Sequence, residues 1–205
     1  LHTKTEFDVI LIGGAGAGTG VGVKMHADNA ANARIMGVVG RARISGFEYG
    51  VWMSQTSLDG SKFVNGNALD IYTGDTLNAL YMTSSHVNGY HVDGNKVRLQ
   101  CQPYATTTVP GATICGQGNR CDLQLWDWST VVGTAPFALS LSANTRQNVL
   151  TLNLDTAYIQ NSSTDDDMVF INPFDDGGIT LGSIRALAST AEIKISGSSM
   201  RFENA

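Results

Sequence analysis

Six carboxylates stand in the short alternating runs of the middle of the chain: Glu48, Asp70, Asp75, Asp93, Asp122 and Asp127. Hydrolysis of a glycosidic bond needs two carboxyl groups, about 5 to 9.5 Å apart across the scissile bond. Strands stacked in a sheet lie about 4.8 Å apart, so outward acids on neighbouring strands can meet that requirement. Glu48 stands between Phe47 and Tyr49, where aromatic surroundings favour the protonated form that a general acid needs. Asp70 and Asp93 complete the catalytic candidates. The plainer reading of each carboxylate alone is a surface acid in an ion pair, and for any single one it is preferred. Eliminative cleavage would instead require a base beside a cation that neutralises a uronate. His86, His91, Arg98 and Arg120 are of the right types.

The aromatic residues suggest binding. Trp126 and Trp128 share a parity opposite to Leu123 and Leu125. With the leucines inward, both indoles face out, and an exposed pair of that size is costly unless something covers it. The C–H face of a sugar ring and a neighbouring subunit are equally good covers. Gln124 and Asp122 share the face of Trp126 and can bond sugar hydroxyls. Trp52, on the side of Glu48, is similar, and His91 and Arg98 complete the set of binding candidates. Other chemistries find less support. The run GGAGAGTG misses the dinucleotide fingerprint, because the third glycine position falls on Thr19, Val21 or Val23. No CxxC or HxxxH spacing marks a zinc site. The TDDDM run (164–168) lacks the later acid of a calcium loop and is expected as a solvated turn. No Gly-x-Ser-x-Gly or Cys/His set supports acyl chemistry. No metal and no cofactor is expected.

These residues sit on strands. From Arg41 to Trp128, Ile44, Val51, Leu69, Ile71, Leu80, Val87, Val92, Val97, Leu99, Leu123 and Leu125 alternate with Arg43, Glu48, Asp70, His91, Arg98, Gln124 and Trp126. Period two over short runs means strands with one face in and one out. The 205 residues suffice for one domain with a sizeable core. Charged residues make up only 15 %, with 23 glycines and 4 prolines, which suits many strands joined by tight turns. The only helix candidate is a short one near Asp28 to Ala33, for which Asp28 is a suitable cap, and an Asn-rich turn between strands fits the same stretch equally well. A net charge of −5 gives no basic footprint, arguing against nucleic acid and anionic membranes and in favour of a neutral or weakly charged glycan. No apolar run reaches 18 residues, so no membrane insertion is expected. A start at Leu1 instead of Met is what a processed or trimmed chain would show. Cys101, Cys115 and Cys121 are expected as buried thiols, with a Cys115–Cys121 loop as the alternative in an oxidising compartment.

The fold class is all-β, and two architectures are open: a β-sandwich or barrel and a right-handed parallel β-helix with coils of roughly 20 to 30 residues. The β-helix is preferred. The stretches RARISG-FEYGVWM and SSHVNG-YHVDG share a corner: Ile44 or Val87 inside, a polar residue, Gly46 or Gly89 for the backbone angle, then an aromatic. The two copies lie 43 residues apart, taken as two coils. The expected organisation is a β-helix domain over 1–175, the C-terminal part of a longer helix, and cap strands over 176–205.

ISGFEYGVWM, SHVNGYHV and GNRCDLQLWDWS resemble the coils of bacteriophage tailspike and capsular-depolymerase proteins, over about residues 34 to 175 and by texture. Pectate-lyase-like proteins have similar coils. The resemblance implies a homotrimer on the virion tail that binds, and often cleaves, host surface polysaccharide as a glycoside hydrolase or polysaccharide lyase. The alternatives are a non-catalytic receptor-binding or structural tip, a secreted monomeric pectate-lyase-like enzyme, and a β-sandwich adhesin.

Overall fold

The computed structural model describes residues 5–14, 19–28, 33–58, 61–85, 91–103, 109–125, 139–146, 148–154, 157–161, 168–173, 181–186 and 192–195, with side chains described as far as Thr151. Its strands are numbered in chain order. Sheet A stacks β1 (Thr5–Ile12), β4 (Val38–Ser45), β7 (Ala68–Thr76), β10 (Lys96–Pro103), β12 (Arg120–Leu125), β14 (Val149–Leu154), β16 (Met168–Pro173) and β18 (Glu192–Ile195) in that order. Sheet B stacks β2 (Val21–Ala27), β5 (Tyr49–Gln55), β8 (Asn78–Ser84), β11 (Ala112–Gln117), β13 (Leu139–Arg146), β15 (Ala157–Asn161) and β17 (Leu181–Ala186). Sheet C is short: β3 (Arg34–Met36), β6 (Phe63–Asn65) and β9 (Val92–Asp93). Every recorded pairing is parallel, from β1 on β4 to β16 on β18. Successive strands visit different sheets and return one rung later, so the chain is a parallel β-helix. A sandwich of antiparallel sheets is excluded. Among the described residues there is no helix, and so none to cross a membrane. Residues 29–32 of the expected short helix lie outside the described set, as do the TDDDM residues 164–167. β17 and β18, within 176–205, lie at the ends of sheets B and A.

Inward residues of all three sheets form one core. Every described member of the alternating apolar set is buried, including Ile44, Val51, Ile71, Leu80, Leu99 and Leu123. Cys101, Cys115 and Cys121 belong to it as free thiols, so the Cys115–Cys121 alternative does not hold.

The corner leading into sheet A sets the coil. Gly37, Gly66, Gly94 and Gly118 take φ of 68, 65, 62 and 62°, the left-handed turn that glycine makes without steric cost. Asparagine follows in three of the four cases. Asn67, Asn95, Asn119 and Asn148 are all buried and stack directly on one another. The backbone N–H of Val38 donates to Asn67 Oδ1 at 3.0 Å, that of Asn67 to Asn95 Oδ1 at 3.1 Å, that of Asn95 to Asn119 Oδ1 at 3.0 Å and that of Asn119 to Asn148 Oδ1 at 2.8 Å. Each Nδ2 donates in turn to a backbone carbonyl: Asn95 to Val64, Asn119 to Val92 and Asn148 to Gly116. The steps are 29, 28, 24 and 29 residues, which are the coil lengths. A 43-residue spacing therefore does not separate two coils. The register places Ser45 opposite Gly74, while Gly89 and its neighbours 86–90 lie outside the described residues.

The 24-residue step ends differently from the two before it. After β9 no separate sheet C strand precedes the corner among the described residues. Instead β11 shifts register after Ile114, and its end lies over the previous coil, where the Gly94 N–H donates to Gln117 O at 3.0 Å. Gly116, at φ 90°, permits the bend: a Cβ there would lie 2.0 Å from the Val92 carbonyl oxygen.

Candidate functional site

Among the described residues, the outer face of sheet A gathers most of the exposed charge. The register aligns three rows across its strands. In the middle row stand Asp8, Arg41, Asp70, Arg98 and Asp122, followed by Thr151. Acid and guanidinium alternate at each step. Arg41 lies 3.9 Å from Asp8 and 3.9 Å from Asp70, and all three side chains are largely exposed. On one side runs Glu6, Val39, Ala68, Lys96, Arg120 and Val149. On the other runs Ile10, Arg43, Tyr72, Gln100 and Gln124, where Gln100 Nε2 donates to Gln124 Oε1 at 3.0 Å. An open groove of about 980 Å³ runs over the first two rows, and a smaller hollow is lined by Arg41, Arg43, Tyr72 and Gln100.

The alternation follows from sheet physics. Opposite charges directly across a strand pair stabilise it and like charges destabilise it. Where coils bring the same sheet position together every 24 to 29 residues, a charged row is therefore most stable when its sign alternates. Exposed pairs of this kind contribute little to stability, about 0 to 1 kcal/mol each. Their effect is to hold long polar side chains in an ordered, nearly flat array.

The expected site residues scatter over several faces. Asp70, Arg98, Asp122 and Gln124 come together on sheet A. Asp70 and Asp122 are two strands apart, roughly 9–10 Å, at the long end of the separation of two carboxyls in an inverting glycosidase. Arg98 occupies the position between them, where such an enzyme leaves room for water. The acids of the row are thus interleaved with guanidinium groups and do not face each other.

Glu48 lies outside this face, in the turn between β4 and β5. Its carboxylate accepts a hydrogen bond from the Tyr49 phenol, and burial followed by that carboxylate raises the Tyr49 pKa. Asp93 ends β9 on sheet C, opposite Asn65. Burial pushes its pKa up to about 6, and its Oδ1 has no hydrogen-bond partner. His91 precedes β9, and its carbonyl accepts from the Val64 N–H at 2.8 Å. Glu48, Asp70 and Asp93 therefore occupy three different parts of the surface and form no catalytic pair. Trp126, Trp128, Asp127 and His86 lie outside the described residues.

Trp52 stands on sheet B, as the centre of an aromatic stack. Tyr49 is 5.2 Å from it and Tyr81 5.8 Å, centroid to centroid, and Tyr49 and Tyr81 stack on each other at 4.9 Å. Lys24 places its ammonium 4.5 Å over the indole, and Trp52 Nε1 donates to Thr83 Oγ1 at 3.2 Å. Its ring faces are engaged by neighbours, so this cluster is first of all a cross-strand brace.

Sequence reasoning missed Arg41, Lys96, Gln100 and the row order. The signal was present: Gly-Asn at 66–67, 94–95 and 118–119 opens ALDI, KVRL and RCDL. Aligning those copies stacks Asp70, Arg98 and Asp122 directly. Comparison with protein-family models, curated proteins and solved structures yields no match.

Proposed function

We propose that the chain is a polysaccharide-binding β-helix module of the phage tailspike type, and that it holds its glycan along the outer face of sheet A. The observation that carries this reading is the row Asp8–Arg41–Asp70–Arg98–Asp122, which lines one open groove and has the Gln100–Gln124 ladder on its other side. Guanidinium, carboxylate and amide groups supply the donors and acceptors that sugar hydroxyls pair with. Rungs fixed by a buried ladder keep those groups in place before ligand arrives, which lowers the ordering cost of binding. A long polymer suits a surface that repeats along an axis, whereas a small metabolite would need an enclosing cavity. The interleaved Arg98 favours binding over two-carboxylate hydrolysis on this face. Tailspike resemblance adds a homotrimer on an extracellular virion tail as part of the same proposal.

The test is a panel of purified bacterial surface polysaccharides, screened by the change in their light scattering or by retention with the protein. Wild-type protein is expected to retain at least one member, and Arg98→Ala to lose about tenfold or more in affinity, the scale of one charge-assisted contact. A panel that gives no retention, or an Arg98→Ala protein that binds undiminished, removes this face as the site.

A further inference from the structure

Resting on that reading, we infer that the glycan is acidic, and that Lys96 and Arg120 form the subsite for its anionic substituent. Among the described residues, every other charged pair that faces across adjacent strands of sheet A is of opposite sign: Asp8 with Arg41, Arg41 with Asp70, Asp70 with Arg98, Arg98 with Asp122. Lys96 and Arg120 are the exception. They are direct register partners on β10 and β12, about 4.8 Å apart at the backbone. Their own row offers no acid to either side, only Ala68 before and Val149 after. Neither makes an ion pair with a described carboxylate. The nearest charges on the same face are Arg98 and Asp122, two residues along each strand, and Asp122 is already opposite Arg98.

Like charges directly opposite destabilise a sheet. A chain of net charge −5 has acids to spare for that position, and in the next row it alternates them faultlessly. A bound anion resolves the repulsion. A carboxylate or sulfate lying between the two cations accepts hydrogen bonds from a guanidinium fork and an ammonium together. Both residues line the same groove as the middle row, so the anion would be a substituent of the chain lying there. Uronate and sulfate or phosphate esters share this chemistry. A nucleic acid does as well, but the acidic chain repels a polyanion of that charge density.

The experiment uses acidic polysaccharides from the panel, their carboxyl-reduced forms, desulfated or dephosphorylated forms where an ester is present, and a single-stranded oligonucleotide. Proteins are wild type, Lys96→Gln/Arg120→Gln and Arg98→Ala. Wild type is expected to bind an acidic polymer about tenfold or more tightly than its neutralised form, with the difference shrinking as salt rises. The form whose neutralisation abolishes the preference identifies carboxylate or ester. In Lys96→Gln/Arg120→Gln the preference disappears while neutral-polymer binding stays, and the melting temperature is unchanged or higher, because a repulsion has gone. Equal binding of acidic and neutral forms, with loss in Arg98→Ala, overturns the acidic subsite and leaves the groove standing. Retention of none of the polysaccharides overturns both. Preference for the oligonucleotide over every glycan overturns the subsite as a glycan reader.

Discussion

Two ladders climb the same coils a few residues apart, and they obey opposite rules. At the corner into sheet A, asparagine stacks on asparagine through Asn67, Asn95, Asn119 and Asn148. On the outer face, Asp70, Arg98 and Asp122 change type at every rung. The difference comes from what each side chain can offer its own copy. A carboxamide is donor and acceptor at once, so it satisfies an identical neighbour above and below. A charged group repels its copy, so a charged row gains from alternating. Burial sharpens the contrast. The amides are fully enclosed, and any unpaired group there carries its whole desolvation cost. The charges are wet, so most departures from alternation are cheap. The inner ladder is therefore fixed by stability, and the outer one is free to be shaped by ligand.

The largest predicted effect is on the inner ladder. Asn119→Leu removes the acceptor of the Asn95 N–H and the donor to the Val92 carbonyl. It should cost about 3–5 kcal/mol, read as a shifted denaturant midpoint. A cost under about 1 kcal/mol would mean that the ladder is not what holds the rungs in register.

An intermediate effect is expected at Asp93, which shares the corner but lacks partners. Its folded pKa, pushed up to about 6, lies above the ordinary carboxylate value. The folded state thus binds the proton more readily than the unfolded state, and Asp93 lowers stability as pH rises from about 4 through about 6. With the side chain only half buried, the cost at pH 7 is on the order of 1 kcal/mol after screening. Asp93→Asn should raise the melting temperature at pH 7 and flatten its dependence over that window. An unchanged pH profile would show that Asp93 is better solvated than its orphaned Oδ1 implies.

Thiol chemistry tests the same inside–outside division more gently. Burial raises Cys101 and Cys121 to about 12, so a thiol reagent at pH 8 should label them only at the rate of unfolding. Prompt labelling of the folded protein would place them outside the core. The smallest effect belongs to the outer row: Asp122→Asn should move stability by less than about 0.5 kcal/mol. A larger loss would make the row structural.

Much of the fold was legible because period-two alternation states directly which residues go inward. Ile44, Leu69, Leu99 and Leu123 needed no further information. Coil length was legible as a range, since steps of 24 to 29 residues fall within the expected 20 to 30, but the residues that mark each coil were less so. The Ile44–Gly46 and Val87–Gly89 corners look alike, but the true period is marked by Gly-Asn, a pair whose meaning lies in stacking and not in local conformation. The site was least legible. Single carboxylates such as Glu48 and Asp93 have suitable local sequence, but only register shows that they lie on other faces than Asp70. Trp52 lies on the outer side of sheet B, and its cover is Lys24 and Tyr81 from adjacent coils with Tyr49 from its own strand.

The measurement that bears most directly on the outer face as the binding surface is a radical footprint with and without the retained polysaccharide. Tyr72, 40 % exposed on sheet A, and Tyr81, in the aromatic stack of sheet B, report on the two sides. Bound polymer is predicted to protect Tyr72 from oxidation and to leave Tyr81 and Trp52 as reactive as before. Protection of Tyr81 and Trp52 with Tyr72 unaffected would contradict the account and move the binding surface to sheet B.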